Sequence, residues 1–189
     1  MEATIVSERR GDQPEMFGER IWLRPIEVRD ALAISQATIG GPDEVSIEPV
    51  IPVSETAFRN WVQGIDESEL VWAICRSDQQ EAIGTASIRH IDLQHRTAET
   101  GMGLLYEADR GQGFGQEVKS LVLDFAFEVI GLHTLMCTID SRNVRSQRSV
   151  ERSGYTRAGS LTANIPIGLG QYADTLIYQL MAEDWRASR

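Results

Sequence analysis

Six residues near the middle of the chain, Arg110-Gly111-Gln112-Gly113-Phe114-Gly115, have the composition of an anion-binding turn. An apolar segment at 102–106 precedes them, and residues 116–130 follow with apolar side chains at helical spacing. A strand, a glycine turn and a helix N-terminus leave backbone N–H groups pointing outward, and the helix dipole adds partial positive charge. The stretch therefore predicts a phosphate site.

Three phosphate motifs contain a glycine turn of this kind. A dinucleotide fingerprint starting at Gly111 requires a third glycine where Gln116 stands, and it normally opens the first β-α-β unit of a domain. A P-loop counted from Gly113 reaches Val118-Lys119-Ser120, in which valine replaces the required glycine. The motif Arg/Gln-x-x-Gly-x-Gly/Ala is matched in full over 110–115, although an ordinary tight turn has the same composition.

The elements around the turn predict a mixed α/β sheet with helices on both faces. Strands that follow one another closely before the turn favour antiparallel pairing, whereas the strand–helix–strand unit around it favours a parallel crossover. The strands are predicted at 20–26, 70–76, 82–91, 97–106, 132–139, 155–161 and 174–181, and the helices at 30–38, 54–65, 116–130 and 143–153. Residues 1–18 are predicted to be a flexible N-terminal segment, and 19–189 a single domain.

Composition excludes several classes of function. The chain has 189 residues and a formal net charge of -10, which disfavours binding to nucleic acid or to anionic membranes. Cys75 and Cys137 lie in apolar runs and are predicted to be buried free thiols, and no Cys/His spacing indicates a metal site. No apolar run approaches the ~20 residues of a membrane span, and residues 1–17 do not resemble a secretory signal. A cytoplasmic location is therefore expected.

Four further pieces of the chain, in order and at matching spacing, resemble the GNAT superfamily of N-acetyltransferases, most closely its RimJ/RimL-like branch. The resemblance covers about residues 19–185. The pieces are the opening strand and turn at 20–31, the strand Glu99-Thr100-Gly101-Met102-Gly103, the helix pattern at 143–146 and 151–155, and the closing strand at 170–180.

The resemblance implies a GNAT fold, in which a mostly antiparallel sheet contains one parallel pair of strands that splay apart. Acetyl-CoA would bind in that opening as a cosubstrate, without a metal. Its pantetheine would pair with the backbone of one strand, the glycine turn would hold the pyrophosphate, and an N–H near Leu105 would polarise the thioester carbonyl. The residues implied to bind acetyl-CoA are Gly103, Leu104, Leu105, Arg110, Gly111, Gln112, Gly113, Phe114, Gly115, Gln116, Asn143 and Ser146.

The implied reaction is direct attack of a neutral amine on the thioester, which requires a base for the amine proton and a donor for the departing thiolate. Glu99 is the candidate base, because its strand leads toward the splay; otherwise it is a surface carboxylate. Thr138, where some relatives carry glutamate, cannot act as a base. At the position of Val150, many GNAT proteins have a tyrosine that acts as the general acid for the departing thiolate. Because that tyrosine is absent here, Ser146 is the candidate hydrogen-bond partner of the CoA sulfur. Asn143 could bind the pantetheine amide, cap the helix, or do both.

The branch implies a protein N-terminal amine as the acceptor. Two alternatives remain at this point: a small-molecule amine acetyltransferase acting on a polyamine, amino acid or amino sugar, and a non-catalytic acyl-CoA sensor. The acceptor site is expected between the loop at 40–53, which contains Asp43, Glu44 and Glu48, and the hairpin loop at 167–171. A homodimer is a family expectation.

Overall fold

An eight-stranded sheet organises the protein in the computed structural model, which describes residues 13–38, 54–66 and 68–189. The strands are β1 (Met16–Phe17), β2 (Ile21–Pro25), β3 (Leu70–Arg76), β4 (Ala82–Asp92), β5 (Thr97–Leu104), β6 (Thr134–Asp140), β7 (Thr156–Gly168) and β8 (Gln171–Met181). The helices are α1 (Ala31–Thr38), α2 (Glu55–Gly64), α3 (Phe114–Asp124), α4 (Val144–Glu151) and α5 (Ala182–Ala187), and a π-helical segment (Phe125–Ile130) continues α3.

The strand order is β1-β2-β3-β4-β5-β6-β8-β7, and β5–β6 is the parallel pair within an otherwise antiparallel sheet. Ile34 of α1 and Phe58 of α2 are fully buried in a cluster with Val71 of β3. Val118 and Val122 of α3 belong to a second, larger cluster. Helices therefore cover both faces, and the predicted fold class is confirmed.

The N-terminal segment differs from the prediction between residues 13 and 18. Met16 and Phe17 pair with Leu23 and Trp22 of β2, so a short strand extends the sheet. The indole N–H of the fully buried Trp72 donates to the Pro14 carbonyl at 2.9 Å. Because a buried indole N–H needs an acceptor, this contact holds the segment against the sheet. Residues 1–12 lie outside the described residues, and for them the flexible segment stays a prediction.

The C-terminal third also extends beyond the predicted elements. β7 and β8 form a long hairpin, so the predicted loop at 167–171 is shortened to a turn between Gly168 and Gln171. After β8 the chain forms α5, which the sequence pattern did not predict. Trp185 of α5 is 6% exposed and its ring centroid lies 5.1 Å from that of Phe127, so burial of one aromatic side chain positions this short helix.

Both cysteines are buried free thiols, as predicted. Among the described residues, no helix combines the length and the apolar character needed to cross a membrane. The same residues contain no cluster of three or more potential metal ligands. The acceptor loop at 40–53, with its three carboxylates, lies outside the described residues.

Candidate active site

The parallel strands β5 and β6 separate after three paired positions. Thr97 pairs with Thr134, Ala98 with Leu135 and Glu99 with Met136. Beyond Glu99, β5 continues along β4, while β6 continues along β8. We call the Glu99–Met136 level the fork and the space beyond it the opening. The splayed pair that the family resemblance implied is therefore present.

Two hydroxyl groups join the strands just beyond the fork. The Thr100 hydroxyl donates to the Met136 carbonyl at 3.4 Å, and the Tyr155 hydroxyl lies 2.8 Å from the Thr100 oxygen. Burial raises the pKa of Tyr155 well above its ordinary value, so this group stays protonated. Because the one hydrogen of the Thr100 hydroxyl is directed at Met136, the Tyr155 hydroxyl is the donor in the second bond. The chain of hydroxyls fixes the point at which the opening begins.

The backbone groups that face the opening are shifted by one residue from the prediction. The Leu105 N–H donates to the Ile83 carbonyl at 2.8 Å, so it cannot polarise a thioester. Inter-strand bonds alternate along an antiparallel ladder, so Gly103 and Leu105 bond toward β4 while Met102 and Leu104 face the opening. The Arg110 guanidinium donates to the Leu104 carbonyl at 3.1 Å, on that opposite edge.

The glycine turn has the backbone conformation that its composition predicts. Gly111 and Gly113 have φ of 76° and 88°, a left-handed conformation that favours glycine, and Gly113 caps α3. The N–H groups of residues 111–115 have no hydrogen-bond partner among the described residues. Backbone N–H groups without a partner at the start of a helix are what an anion site requires.

Gln116 differs from the rest of the predicted pyrophosphate site. Its N–H donates to the Gly113 carbonyl at 3.0 Å, within the first turn of α3. Its side chain donates to Ser149 of α4 at 3.0 and 3.1 Å and accepts from Ser153 at 3.1 Å. Gln116 is thus engaged in joining α3 to α4 rather than exposed to an anion.

Lys119 also contacts this junction. Its ammonium group donates to the Ser149 hydroxyl, and burial lowers its pKa to about 8. Nearby on β6, burial raises the pKa of the Cys137 thiol to about 12. Lys119 is the only lysine among the 18 basic side chains of the chain. A polar seam therefore links the two helices that follow β5 and β6.

Glu99 lies at the fork, beside a histidine that sequence reasoning did not connect with it. The Glu99 carboxylate is 3.4 Å from His90 Nδ1 and is 31% exposed. His90 has φ of 51° within an irregular part of β4, between Arg89 and Asp92, where the register shifts. A register shift of this kind has no signature in the sequence pattern. Thr138 lies exposed on β6, two residues beyond the partner of Glu99.

The N-terminus of α4 brings the remaining predicted residues to the site. The Asn143 side chain accepts the Ser146 N–H at 3.0 Å, which confirms its capping role. The Ser146 hydroxyl is half-buried and has no partner within the described part of the chain. Val150 is 6% exposed and belongs to the core. Ser146 is therefore a half-buried hydroxyl at the N-terminus of α4, and its contact with the CoA sulfur stays a prediction.

Comparisons with known proteins agree with this arrangement. Residues 20–156 match the acetyltransferase (GNAT) domain family. The chain is 31% identical over 158 residues to the uncharacterized N-acetyltransferase YoaA of Bacillus subtilis (strain 168), a match that covers 78% of this chain and 86% of YoaA.

Solved structures show the same fold. The structure of a candidate acetyltransferase from T. thermophilus is 28% identical, with a TM-score of 0.73 and 92% of each chain covered. Spermidine N-acetyltransferase from Vibrio cholerae, in complex with CoA and spermine, has a TM-score of 0.75 at 19% identity, covering 89% of this chain and 99% of that one. The chain belongs to the GNAT acetyltransferase family and is an N-acetyltransferase.

Proposed function

We propose that the protein transfers the acetyl group of acetyl-CoA to the N-terminal amine of a protein, as members of the RimJ/RimL-like branch do, by direct attack within a ternary complex. Binding of acetyl-CoA is supported by the opening between β5 and β6 and by the glycine turn, in which two glycines have left-handed backbone conformations. A strand edge that lacks a neighbour can pair with an extended pantetheine chain. The five outward N–H groups at 111–115 suit a pyrophosphate.

The thioester would lie near Leu104. Its N–H faces the opening, so it replaces Leu105 as the group that polarises the thioester carbonyl. An N–H fixed by a strand needs no reorganisation when negative charge develops on the carbonyl oxygen. Gly103 leaves room beside it, because no heavy atom lies within 4 Å of the position that a side chain there would occupy.

Proton transfers would occur at two groups on either side of the thioester. Glu99 accepts the proton of the attacking amine, directly or through one water, and His90 stands beside it as a second group able to carry that proton. The Ser146 hydroxyl hydrogen-bonds the CoA sulfur as the C–S bond breaks. Asn143 caps α4 through its amide oxygen, and its amide N–H₂ group would contact the pantetheine.

The chemistry at the fork favours an α-amine as acceptor. A peptide α-amine has a pKa of about 7.7–8.0, so a sizeable fraction is neutral near pH 7.5, whereas an alkylamine with a pKa of about 10.4 is almost fully protonated. Glu99, partly exposed, is the carboxylate that the described residues place at the fork. One such carboxylate suits a single weakly basic amine better than the several ammonium groups of a polyamine.

The experiment is to follow CoA thiol release with three acceptors: a peptide with a free N-terminus, the same peptide blocked at its N-terminus but containing lysine, and spermidine. We expect turnover with the free N-terminus, and mass spectrometry should locate the acetyl group there. Turnover with spermidine alone would contradict the choice of acceptor. Absence of turnover and of CoA binding would contradict the whole proposal.

A substitution at the base tests the mechanism. Glu99→Gln should lower kcat about 100-fold at pH 7, the lower end of what general base catalysis contributes, and the loss should shrink as pH rises and hydroxide takes the amine proton in place of Glu99. Glu183→Gln on the exposed face of α5 is the matched control and should leave the rate unchanged. A rate that is equally low at every pH would indicate that Glu99 is structural.

A further inference from the structure

Arg20, the residue before β2, contacts the glycine turn although 92 positions separate it from Gln112. Its guanidinium donates to the Gln112 carbonyl at 2.8 Å, and its central carbon lies 5.2 Å from the centroid of the Phe114 ring. A side-chain carbon built on Gly113 would lie 3.0 Å from Arg20 Nη2. The guanidinium therefore covers one wall of the turn.

The same guanidinium is paired with a carboxylate of α3. Glu117 Oε2 lies 3.3 Å from Arg20 Nη2, and Oε1 accepts the Arg20 N–H at 2.8 Å. A side-chain carbon on Gly18 would lie 2.3 Å from Oε1, so glycine is needed for this approach. The Glu117 side chain is 17% exposed and is thus held in one place beside the first turn of α3.

These contacts have an electrostatic consequence for an anion at the turn. The Gln112 carbonyl and the Glu117 carboxylate are two negative groups next to the outward N–H groups, and each would repel a phosphate. Arg20 bonds to both of them at once. Its side chain is 52% exposed, so the guanidinium is accessible to solvent while it makes these contacts.

We propose that Arg20 is a positioning residue for the CoA pyrophosphate: it holds the Gln112 carbonyl away from the anion and offsets the charge of Glu117. This inference rests on the proposed binding of acetyl-CoA at the glycine turn. Without Arg20, the uncompensated charge of the Glu117 carboxylate repels the doubly charged pyrophosphate through solvent, which should weaken CoA binding on the order of fivefold.

The test measures the Kd of CoA by calorimetry and the kinetics with acetyl-CoA. Arg20→Met should raise the Kd and the KM for acetyl-CoA about fivefold and leave kcat within about twofold. Adding Glu117→Gln to Arg20→Met should restore most of the affinity, because the amide oxygen still accepts the backbone N–H of residue 20 but carries no charge. Arg59→Met, which removes an ion-paired arginine of similar exposure on α2, is the matched control and should change neither value.

Two further measurements separate charge from folding. Acetyl-pantetheine lacks the phosphates, so its kcat/KM should be the same for the parent protein and Arg20→Met. Glu117→Gln alone keeps Arg20 in place and should lower the Kd of CoA, which tests the inference even if Arg20→Met does not fold.

An unchanged Kd in Arg20→Met, an equal loss with acetyl-pantetheine, or no recovery in the double variant would overturn the inference. Failure of the parent protein to bind CoA would instead overturn the proposed function.

Discussion

Removal of the Thr100 hydroxyl should destabilise the fork more than removal of its partner. In Thr100→Val, the Tyr155 hydroxyl, in a side chain that is 4% exposed, loses its acceptor. An unsatisfied buried donor costs about 1–3 kcal/mol. For a domain of this size, 1 kcal/mol corresponds to about 2–4 °C, so a cost near the middle of that range, about 2 kcal/mol, should lower Tm by about 4–8 °C.

Tyr155→Phe should cost less, about 0.5–1.5 kcal/mol, because Thr100 keeps the Met136 carbonyl as its acceptor. In the double variant both hydroxyls are absent, so no buried donor is left without an acceptor. It should therefore be no less stable than Thr100→Val alone, a coupling that contacting residues commonly show. The assay is thermal unfolding for Tm and urea unfolding for the free energy, both followed by circular dichroism. The KM for acetyl-CoA should rise wherever the fork is loosened.

Thr97→Val provides the matched control, since it makes the same change three residues earlier on β5, before the strands separate. It should leave the KM for acetyl-CoA unchanged. The reasoning would be refuted if the costs of Thr100→Val and Tyr155→Phe simply added in the double variant. Strict additivity would mean that the two hydroxyls do not act as one chain.

Three further predictions follow from backbone conformation and burial. Gly113→Ala should weaken CoA binding more than Gly111→Ala, because both force a left-handed alanine at about 1–2 kcal/mol but only position 113 is also crowded; equal losses would argue against this. Lys119→Met should stabilise the protein at pH 7, and the gain over the parent should shrink as pH rises from about 8 to 10.5. This sign follows because the folded pKa is lowered, so the unfolded chain binds more protons in that window. Cys75 and Cys137, both buried with raised pKa values, should react with Ellman's reagent in urea but hardly at all in the folded protein, as a thiol titration would check.

Local patterns in the sequence predict the parallel pair and the glycine turn, because the turn is local and the paired residues of β5 and β6 are 37 positions apart, joined by one helix. The long helix after Gly113 and the cap at Asn143 follow from spacing and residue type. Contacts across the sheet have no such signal. Arg20 reaches Gln112 only because β2 and α3 pack together, and His90 reaches Glu99 only because β4 is irregular there.

The sequence pattern also does not show which edge of β5 a given backbone N–H faces. A shift of one residue reverses every N–H along a strand, and the apolar pattern at 102–105 fits either choice. The pairing of Leu105 with Ile83 settles it in favour of Leu104. The short strand at Met16 was missed for a similar reason, since two residues are too few to show alternation.

The scarcity of lysine has a consequence for the protein's own chemistry. A protein that holds an activated thioester at its surface exposes its own amines to acylation. Here arginine supplies all side-chain cations except Lys119, and a guanidinium stays protonated and does not attack a thioester. Among its side chains the protein therefore offers an acetyl donor a single primary amine, that of Lys119, so any lysine acetylation of the protein during an assay would be located at that residue.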